Sequence, residues 1–440
     1  MSAFAVVGSP MPSPLSLRVL VVDDDEFMVD VASELLQQMG TTDVQRASDG
    51  AEALKFIDDG HLHPDVILCD LDMAGMDGFV LMRHLAARSY SGAVIIMSGS
   101  DERVLAAVTE LAREHGLQLL DSLAKPLDRD RLFRALERVS VSRPRGIFQE
   151  WEPERNELIP DEYGDTLSPE AVRRGIDSGF VEIAVQPKVR LSDRHVVGAE
   201  ALLRWRDPKR GVLSPMAIVP TAESYGLIDD LALAVYRLSV DALADWRRQG
   251  HDLRISVNLS ARNLTTLAFP EVLAAIAKEA GVETGCITLE ITESRLLENL
   301  TASLEVIGRL RLMGFNMSID DFGTGYASMA NLKSLPFTEL KIDRSFVHGA
   351  LNDTDDRASQ VILGCSVELG HALRLDVVAE GVETIEEWNL LEALGCDEIQ
   401  GYLVAKPMHA ADFVAWKTAW DANPPERRVV HPAGGPAWRA

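Results

Sequence analysis

Apolar and polar positions follow two distinct rhythms along this chain. In the first, short apolar runs close on polar or acidic residues and are separated by stretches of helical period. Leu17–Val22 is such a run; it ends in Asp23-Asp24-Asp25 and leads into an amphipathic stretch reaching Gly40. Further strands are predicted at Val44–Ala47, Val66–Cys69, Ala93–Met97 and Leu117–Leu120. Helices are predicted around Ala51–Ile57 and Phe79–Ala87, again between the last two strands, and finally up to about Val139. About five βα units make a doubly wound parallel sheet the expected fold of residues 17–139, with its chemistry at the C-terminal ends of the strands.

Residues 140–167 are polar and Pro-rich, the composition of a linker, and residues 1–16 and 421–440 are expected to be a disordered arm and tail. Ser168-Pro169-Glu170 combines an N-cap residue, an N1 proline and an acidic first turn, so a helix is expected to open there. A second rhythm then fills residues 168–420, with strands predicted at Val181–Val189, Val196–Leu203, Leu253–Leu259, Ile287–Ile291, Asn316–Ile319, Thr338–Ile342, Asp376–Ala379 and Glu398–Tyr402. About eight strands with intervening helices over roughly 250 residues match a βα barrel. The first two strands are joined only by a few polar residues around Ser192-Asp193-Arg194, too short for a parallel crossover. They are expected to pair as an antiparallel hairpin, giving a modified α/β barrel with one antiparallel strand.

The length of 440 residues accommodates both domains, each with its own core. With 68 acidic against 43 basic residues the formal charge is −25, so DNA or an anionic membrane would be repelled over most of the surface. A phosphate-bearing ligand would need a local device, such as metal ions, to overcome that field. Cys69, Cys286, Cys365 and Cys396 stand singly, which suits a reducing cytosol. The N-terminus lacks a secretory signature, and no stretch approaches the roughly 18 apolar residues of a membrane span. A cytoplasmic protein without membrane insertion is expected.

In the first domain, Asp23 and Asp24 follow the first strand, and Asp70 ends the third in Cys69-Asp70-Leu71-Asp72-Met73. Ser98 follows the fourth strand and Lys125-Pro126 the fifth, so all of them converge on one sheet edge. Clustered carboxylates favour a hard divalent cation, whose charge relieves their repulsion. A lysine and a hydroxyl beside them suit the oxygens of a phosphoryl group. Taken alone, Asp23-Asp24 could equally cap the following helix. Taken together, these positions resemble a response-regulator receiver domain, a flavodoxin-like fold, over residues 17–139. The resemblance implies that Asp70 is the phosphoacceptor of a cognate histidine kinase, and that Asp23, Asp24 and the backbone of Asp72 hold one Mg²⁺. Ser98 and Lys125 would sense the phosphoryl group. Ser122 stands where many receivers carry a switch aromatic.

The barrel strand ends read, in order, Glu200, Asn258, Glu290, Asp320 with Asp321, Lys341, Glu380 and Gln400. Barrel enzymes do their chemistry on that face, and carboxylates meeting there need cations to neutralise them. Two divalent ions about 3.5–4 Å apart suit in-line phosphoryl displacement. The strings Glu200-Ala201-Leu202-Leu203-Arg204-Trp205, Val257-Asn258-Leu259-Ser260, Leu289-Glu290-Ile291-Thr292-Glu293 and Asp320-Asp321-Phe322-Gly323-Thr324-Gly325-Tyr326 are specific. With Lys341-Ile342-Asp343 and Ala379-Glu380-Gly381-Val382-Glu383-Thr384 they resemble the EAL family of cyclic di-GMP phosphodiesterases over about residues 168–420. The domain order and Gln186-Pro187-Lys188 also resemble response regulators with an EAL output.

This resemblance implies that Glu200, Asn258, Glu290 and Asp320 hold one Mg²⁺ or Mn²⁺, and that Asp320 bridges to a second ion completed by Asp321 and Glu380. Gln186, Arg204 and Gln400 would contact the substrate, Arg204 through a phosphate. Lys341 and Glu380, the latter as general base, would direct a water at phosphorus and open cyclic di-GMP to linear pGpG. Glu293 would anchor a mobile loop that carries the aspartate pair and joins a dimer interface, with Asp343 and Glu383 lying behind the ligands. A homo-oligomer and control of the barrel by Asp70 phosphorylation are the further expectations. The competing reading is a receptor that binds cyclic di-GMP without cleaving it. Such receptors usually show gaps among the metal ligands, and none is missing here.

Overall fold

A computed structural model describes residues 17–58, 63–99, 102–139, 167–292, 300–323, 332, 334–352 and 357–422. In the N-terminal unit, β1 (Arg18–Val22), β2 (Asp43–Ala47), β3 (Val66–Asp70), β4 (Ala93–Ser98) and β5 (Gln118–Ala124) form one parallel sheet in the order β2-β1-β3-β4-β5. β3 and β4 are buried along their whole length, as strands covered by helices on both faces must be. On one face Val19, Val21, Val66, Leu68, Ile95 and Met97 pack with Leu36 and Leu132 of the flanking helices. The strand order reverses between β1 and β3, which sets a ligand crevice at their C-terminal ends. β5 extends to Ala124, past the predicted Leu120, because a register shift beside Val94 and Ile95 keeps it paired with β4 as far as Ser98. Asp25 caps the first helix, accepting from the Phe27 amide at 2.9 Å. Asp23 and Asp24 are therefore not the cap.

The C-terminal unit opens with the helix Pro169–Asp177, capped by Ser168. β6 (Val181–Arg190) and β7 (Val196–Asp207) then form the antiparallel hairpin that their short connection requires. β8 (Gly211–Leu213) extends β7 outside the ring. β9 (Arg254–Leu259), β10 (Ile287–Thr292), β11 (Asn316–Phe322), β12 (Glu339–Ile342), β13 (Asp376–Ala379) and β14 (Glu398–Ile399) continue from β7 in parallel. β14 closes the ring by pairing antiparallel with β6, and β15 (Met408–His409) adds to the other side of β6. β6 is thus the antiparallel member of an eight-stranded barrel. The two short strands β8 and β15 carry no periodic signal in the sequence.

Alternation along the strands sorts the barrel into two environments. Ile255, Val257, Leu289, Ile291, Ile319 and Leu340 are buried against the outer helices. Their neighbours Ser256, Glu290, Asp320, Glu339 and Lys341 are buried as well, but on the opposite face, inside the ring. The interior is therefore polar and ionic rather than aliphatic.

β14 stops at Ile399, short of the predicted Tyr402, because the chain turns onto the segment after β13. The Val382 amide donates to the Gln400 carbonyl at 3.0 Å, and the Leu403 amide donates to the Val382 carbonyl at 2.9 Å. Leu167, assigned by composition to the linker, is buried and donates its amide to the Ala217 carbonyl. The last helix runs through Asp421 and Ala422, the first residues of the expected tail. The remainder of the arm, linker and tail lies outside the described residues. Among the described residues no helix is long and apolar enough to cross a membrane.

A Cβ at Gly401 would fall inside the van der Waals envelope of the Val382 backbone, which has no side chain to move aside. Gly401→Ala should destabilise the C-terminal unit by about 1–3 kcal/mol through overpacking. Urea denaturation against the wild-type chain measures this.

Candidate active site

At the C-terminal edge of the N-terminal sheet, Asp23, Asp24 and Asp70 each place a carboxylate oxygen within 4.8 Å of the others. Lys125 Nζ lies 2.8 Å from both Asp23 Oδ2 and Asp70 Oδ2, and Asp70 Oδ1 accepts from the Leu71 amide at 2.8 Å. Burial holds the Asp70 carboxyl above its ordinary pKa despite the lysine beside it. Burial also opposes the Lys125 charge, but Asp23 and Asp70 together keep that ammonium protonated beyond the usual lysine range. Ser98 is buried at the end of β4, whereas the Asp72 side chain is exposed. Ser122 is part-buried within β5, its amide donating to Asp121 Oδ1.

In the barrel, Lys341 is fully buried and is the hub of the mouth. Its Nζ lies 2.6 Å from Glu380, 2.7 Å from Glu290, 3.0 Å from Asp320 and 3.4 Å from Glu200. Three of those carboxylates come from β7, β10 and β11 and the fourth from the turn after β13, brought together by ring closure. Glu200 is further fixed on both oxygens: Asn258 Nδ2 donates to Oε1 at 2.6 Å and Gln400 Nε2 to Oε2 at 2.7 Å. Gln400 also reaches Gln186 Oε1 at 3.0 Å, and Gln186 donates to the Ala405 carbonyl at 3.1 Å. Glu200, Glu290 and Lys341 lie within their strands rather than at the ends, because β7, β10 and β12 continue past them.

Neighbours on a regular strand point to opposite faces, yet Asp320, Asp321 and Glu380 bring carboxylate oxygens within 4.8 Å of one another. A register shift in the β11–β12 pairing between Ile319 and Phe322 accounts for this, together with a left-handed Asp321 at φ 56°. Such a conformation costs a non-glycine residue about 1–3 kcal/mol and is retained where it re-aims a side chain.

Arg204 lies four residues beyond Glu200 on β7, and its Nη1 donates to the Leu203 carbonyl at 2.8 Å. Asp343 accepts from the Ser345 amide at 3.0 Å and so serves the start of the helix Arg344–Asn352. The Glu383 side chain is exposed; its amide donates to Glu387 Oε2 at 2.8 Å. Glu387 also accepts from the Thr384 amide and meets His348 Nδ1 at 2.7 Å. This buried carboxylate, absent from the residues singled out by sequence, anchors the turn after Glu380. Glu293 and residues 324–331 lie outside the described residues.

A second ionic tier lies beneath the first. Lys188 Nζ donates to Glu290 Oε1, Ser256 Oγ and Glu339 Oε1, and Arg254 pairs with Glu398. In the sequence Lys188 stands out only within the string Gln186-Pro187-Lys188. Its signal was the two-residue offset from Gln186, which puts both side chains on one strand face. Clefts of about 470 and 530 Å³ open at this N-terminal rim, lined by Arg190 and Arg254, and contain none of the mouth residues.

Glu290 and its neighbours at the mouth are pushed in opposite directions. Burial opposes ionisation of Glu290, but Lys188 and Lys341 outweigh it and pull its pKa down to about 2. Burial raises Glu380 to about 8, outweighing Lys341, and raises Glu200 and Asp321 as well.

Comparison with known proteins agrees with this geometry. The family profile for the EAL domain matches residues 169–407, and that for the response regulator receiver domain matches residues 19–137. The chain belongs to the EAL-domain family. The cyclic di-GMP phosphodiesterase RocR of Pseudomonas aeruginosa is 34% identical over 402 residues, covering 90% of this chain and 98% of RocR. The same species' cyclic di-GMP phosphodiesterase PA2567 is 37% identical, but the chain spans only 40% of its length. Among solved structures, the PaMucR phosphodiesterase in complex with c-di-GMP superposes with a TM-score of 0.52 at 37% identity. That match covers 56% of this chain and 98% of that one. The barrel is thus an EAL domain, and the N-terminal unit a receiver domain.

The folded, metal-free chain holds a proton on Glu380 between pH 4.5 and about 8, where the unfolded chain has lost it. Stability should therefore fall as pH rises through that window. Glu290 acts in the opposite sense lower down: its contribution is complete above pH 4.5 and is lost as pH falls toward about 2. Thermal melting of chelator-treated protein should show the upper decline, and Glu380→Gln should flatten it.

Proposed function

We infer that this chain is a cyclic di-GMP phosphodiesterase that opens its substrate to linear pGpG with the help of divalent cations and is governed by phosphorylation of Asp70. The observation that carries this reading is the excess of carboxylate at the barrel mouth. Glu200, Glu290, Asp320, Asp321 and Glu380 face one ammonium, Lys341. Ionised together they carry a surplus equal to the charge of two divalent cations. The tier below is balanced by itself, with Lys188 and Arg254 against Glu339 and Glu398. An all-oxygen donor set fits Mg²⁺ or Mn²⁺. Gln400 Oε1, buried with no partner among the described residues, leaves a further acceptor at the same place.

Bound there, such cations would neutralise phosphate charge and acidify a water. The chain's own residues supply the rest. Glu380, beside Lys341 and the aspartate pair, is the residue that would take the proton of the attacking water once cations have drawn off its own. Lys341 supplies positive charge at the mouth, and Arg204, four residues along the Glu200 strand, would contact a substrate phosphate. Gln186 and Gln400 keep Glu200 in one orientation. The names of RocR and PaMucR point to the same substrate. The full set of carboxylates favours an enzyme over a receptor.

At the receiver, a phosphoryl group on Asp70 would bring about −1.5 to −2 charge and new acceptor oxygens beside Lys125 and Ser98. With Ser122 in place of a switch aromatic, the signal would leave through those two residues. One Mg²⁺ at Asp23, Asp24 and the Asp72 backbone, a cognate histidine kinase and a homo-oligomer belong to the same reading.

Purified chain incubated with cyclic di-GMP and Mg²⁺ should yield pGpG, and chelation should stop the reaction. Glu200→Ala or Asp320→Ala should each lower turnover about 1,000-fold, the equivalent of several kcal/mol of lost charge stabilisation. Undiminished hydrolysis in metal-free protein contradicts the reading. A small-molecule phosphodonor should raise the rate of wild type and leave Asp70→Asn unchanged. A wild type that is phosphorylated without changing rate contradicts the regulatory part.

A further inference from the structure

Lys188 has no role in the chemistry just described, yet it is 3% exposed and spends its whole hydrogen-bonding capacity inside the barrel. It enters from β6, the antiparallel strand. Its ammonium donates to Ser256 Oγ at 2.8 Å, Glu290 Oε1 at 2.8 Å and Glu339 Oε1 at 3.1 Å, which accounts for all three protons. Glu290 has no exposed surface, and its other oxygen, Oε2, meets Lys341 at 2.7 Å. The two oxygens of this carboxylate are therefore divided between tiers, Oε1 facing the floor and Oε2 the mouth.

We propose that Lys188 is a positioning residue for the cation site, pinning Glu290 Oε1 from below so that Oε2 alone is presented to a divalent cation. An unpinned carboxylate could rotate about its terminal torsion and offer either oxygen or both, and holding one orientation would then cost entropy at each binding event. A partner behind a ligand removes that cost, and loss of such a partner typically weakens metal binding about 10–100-fold. Gly198, opposite Lys188 in the hairpin, has no room for a Cβ beside the Arg254 backbone, so the strands flanking the floor are closely packed. The proposal rests on the phosphodiesterase reading for its turnover readout but not for its binding readout.

Lys188→Met keeps the apolar stem and removes the donor, but it also leaves Glu339 without its ammonium. The double variant Lys188→Met/Glu339→Gln keeps the floor balanced while Glu290 remains unpinned. Both are built on Asp24→Asn and compared with a reference carrying Asp24→Asn alone, which removes one carboxylate from the receiver's own acidic cluster in every sample. Mn²⁺ binding to the full chain is followed by loss of the electron paramagnetic resonance signal of free Mn²⁺, with thermal melting alongside.

Both variants should bind Mn²⁺ about 10–100-fold more weakly than the reference. The Mn²⁺ concentration for half-maximal hydrolysis should rise in parallel, while KM for cyclic di-GMP at saturating metal stays nearly constant. The melting temperature of the double variant should recover relative to Lys188→Met even though its metal affinity does not. If affinity recovers with stability in the double variant, Lys188 only balances Glu339 and the proposal is overturned. It is equally overturned if a folded variant binds Mn²⁺ within about threefold of the reference. Should Lys188→Met fail to fold, the double variant decides. A wild-type chain that binds Mn²⁺ in the barrel without hydrolysis overturns the phosphodiesterase reading and leaves the binding test of Lys188 intact; a wild-type barrel that binds no Mn²⁺ overturns both.

Discussion

A carboxylate inside a closed barrel keeps its charge only when cations replace the water it has lost. Glu290 meets this condition through Lys188 from the floor and Lys341 from the mouth. Removing either lysine would strand a buried charge, an event that commonly costs about 3–5 kcal/mol. The pairing also explains the topology. Lys188 and Gln186 reach the interior from β6, which runs against its neighbours because a short polar turn joins it to β7. The departure from an all-parallel barrel thus delivers the floor cation and the amide that steadies Glu200 on one strand face.

Once Glu290 is satisfied, the remaining mouth carboxylates compete for a single ammonium. Their environments separate them: Glu290 lies near pKa 2 and Glu380 near 8. Without metal, Glu290 is thus held in its charged form and Glu380 is pushed toward its neutral form, two opposite states within one site. The unfavourable backbone at Asp321 fits the same economy, because it turns a residue that would face outward toward the unbalanced charge.

Much of this was legible from residue order. Strings such as Ile255-Ser256-Val257-Asn258 and Leu289-Glu290-Ile291 alternate apolar and polar positions, so strands with a polar inner face follow from period two alone. The brevity of the Ser192-Asp193-Arg194 connection was enough to give the hairpin. Other features depend on which strands become neighbours and at what shear, information that no local window holds. Lys188, Glu339, Arg254 and Glu398 look like ordinary polar strand residues until ring closure brings them together. Glu383 precedes the helix Ile385–Leu394 and Glu387 lies in its first turn, where Thr384-x-x-Glu387 is a capping box that the sequence already spells, while its burial and its contact with His348 come only from packing. The early end of β14 has the same origin, since Gly401 meets Val382 only after the ring is closed.

The central claim is that the carboxylate surplus at the mouth is matched by two divalent cations. Crystals of the Glu380→Gln variant grown with Mn²⁺ and cyclic di-GMP, with data collected at the manganese absorption edge, test it most directly. Two anomalous peaks per EAL domain are predicted, both at the C-terminal mouth and sharing Asp320, with Lys341 displaced from the carboxylates they contact. A single peak, or peaks at the Arg190 and Arg254 rim with the mouth still held by Lys341, would contradict the account.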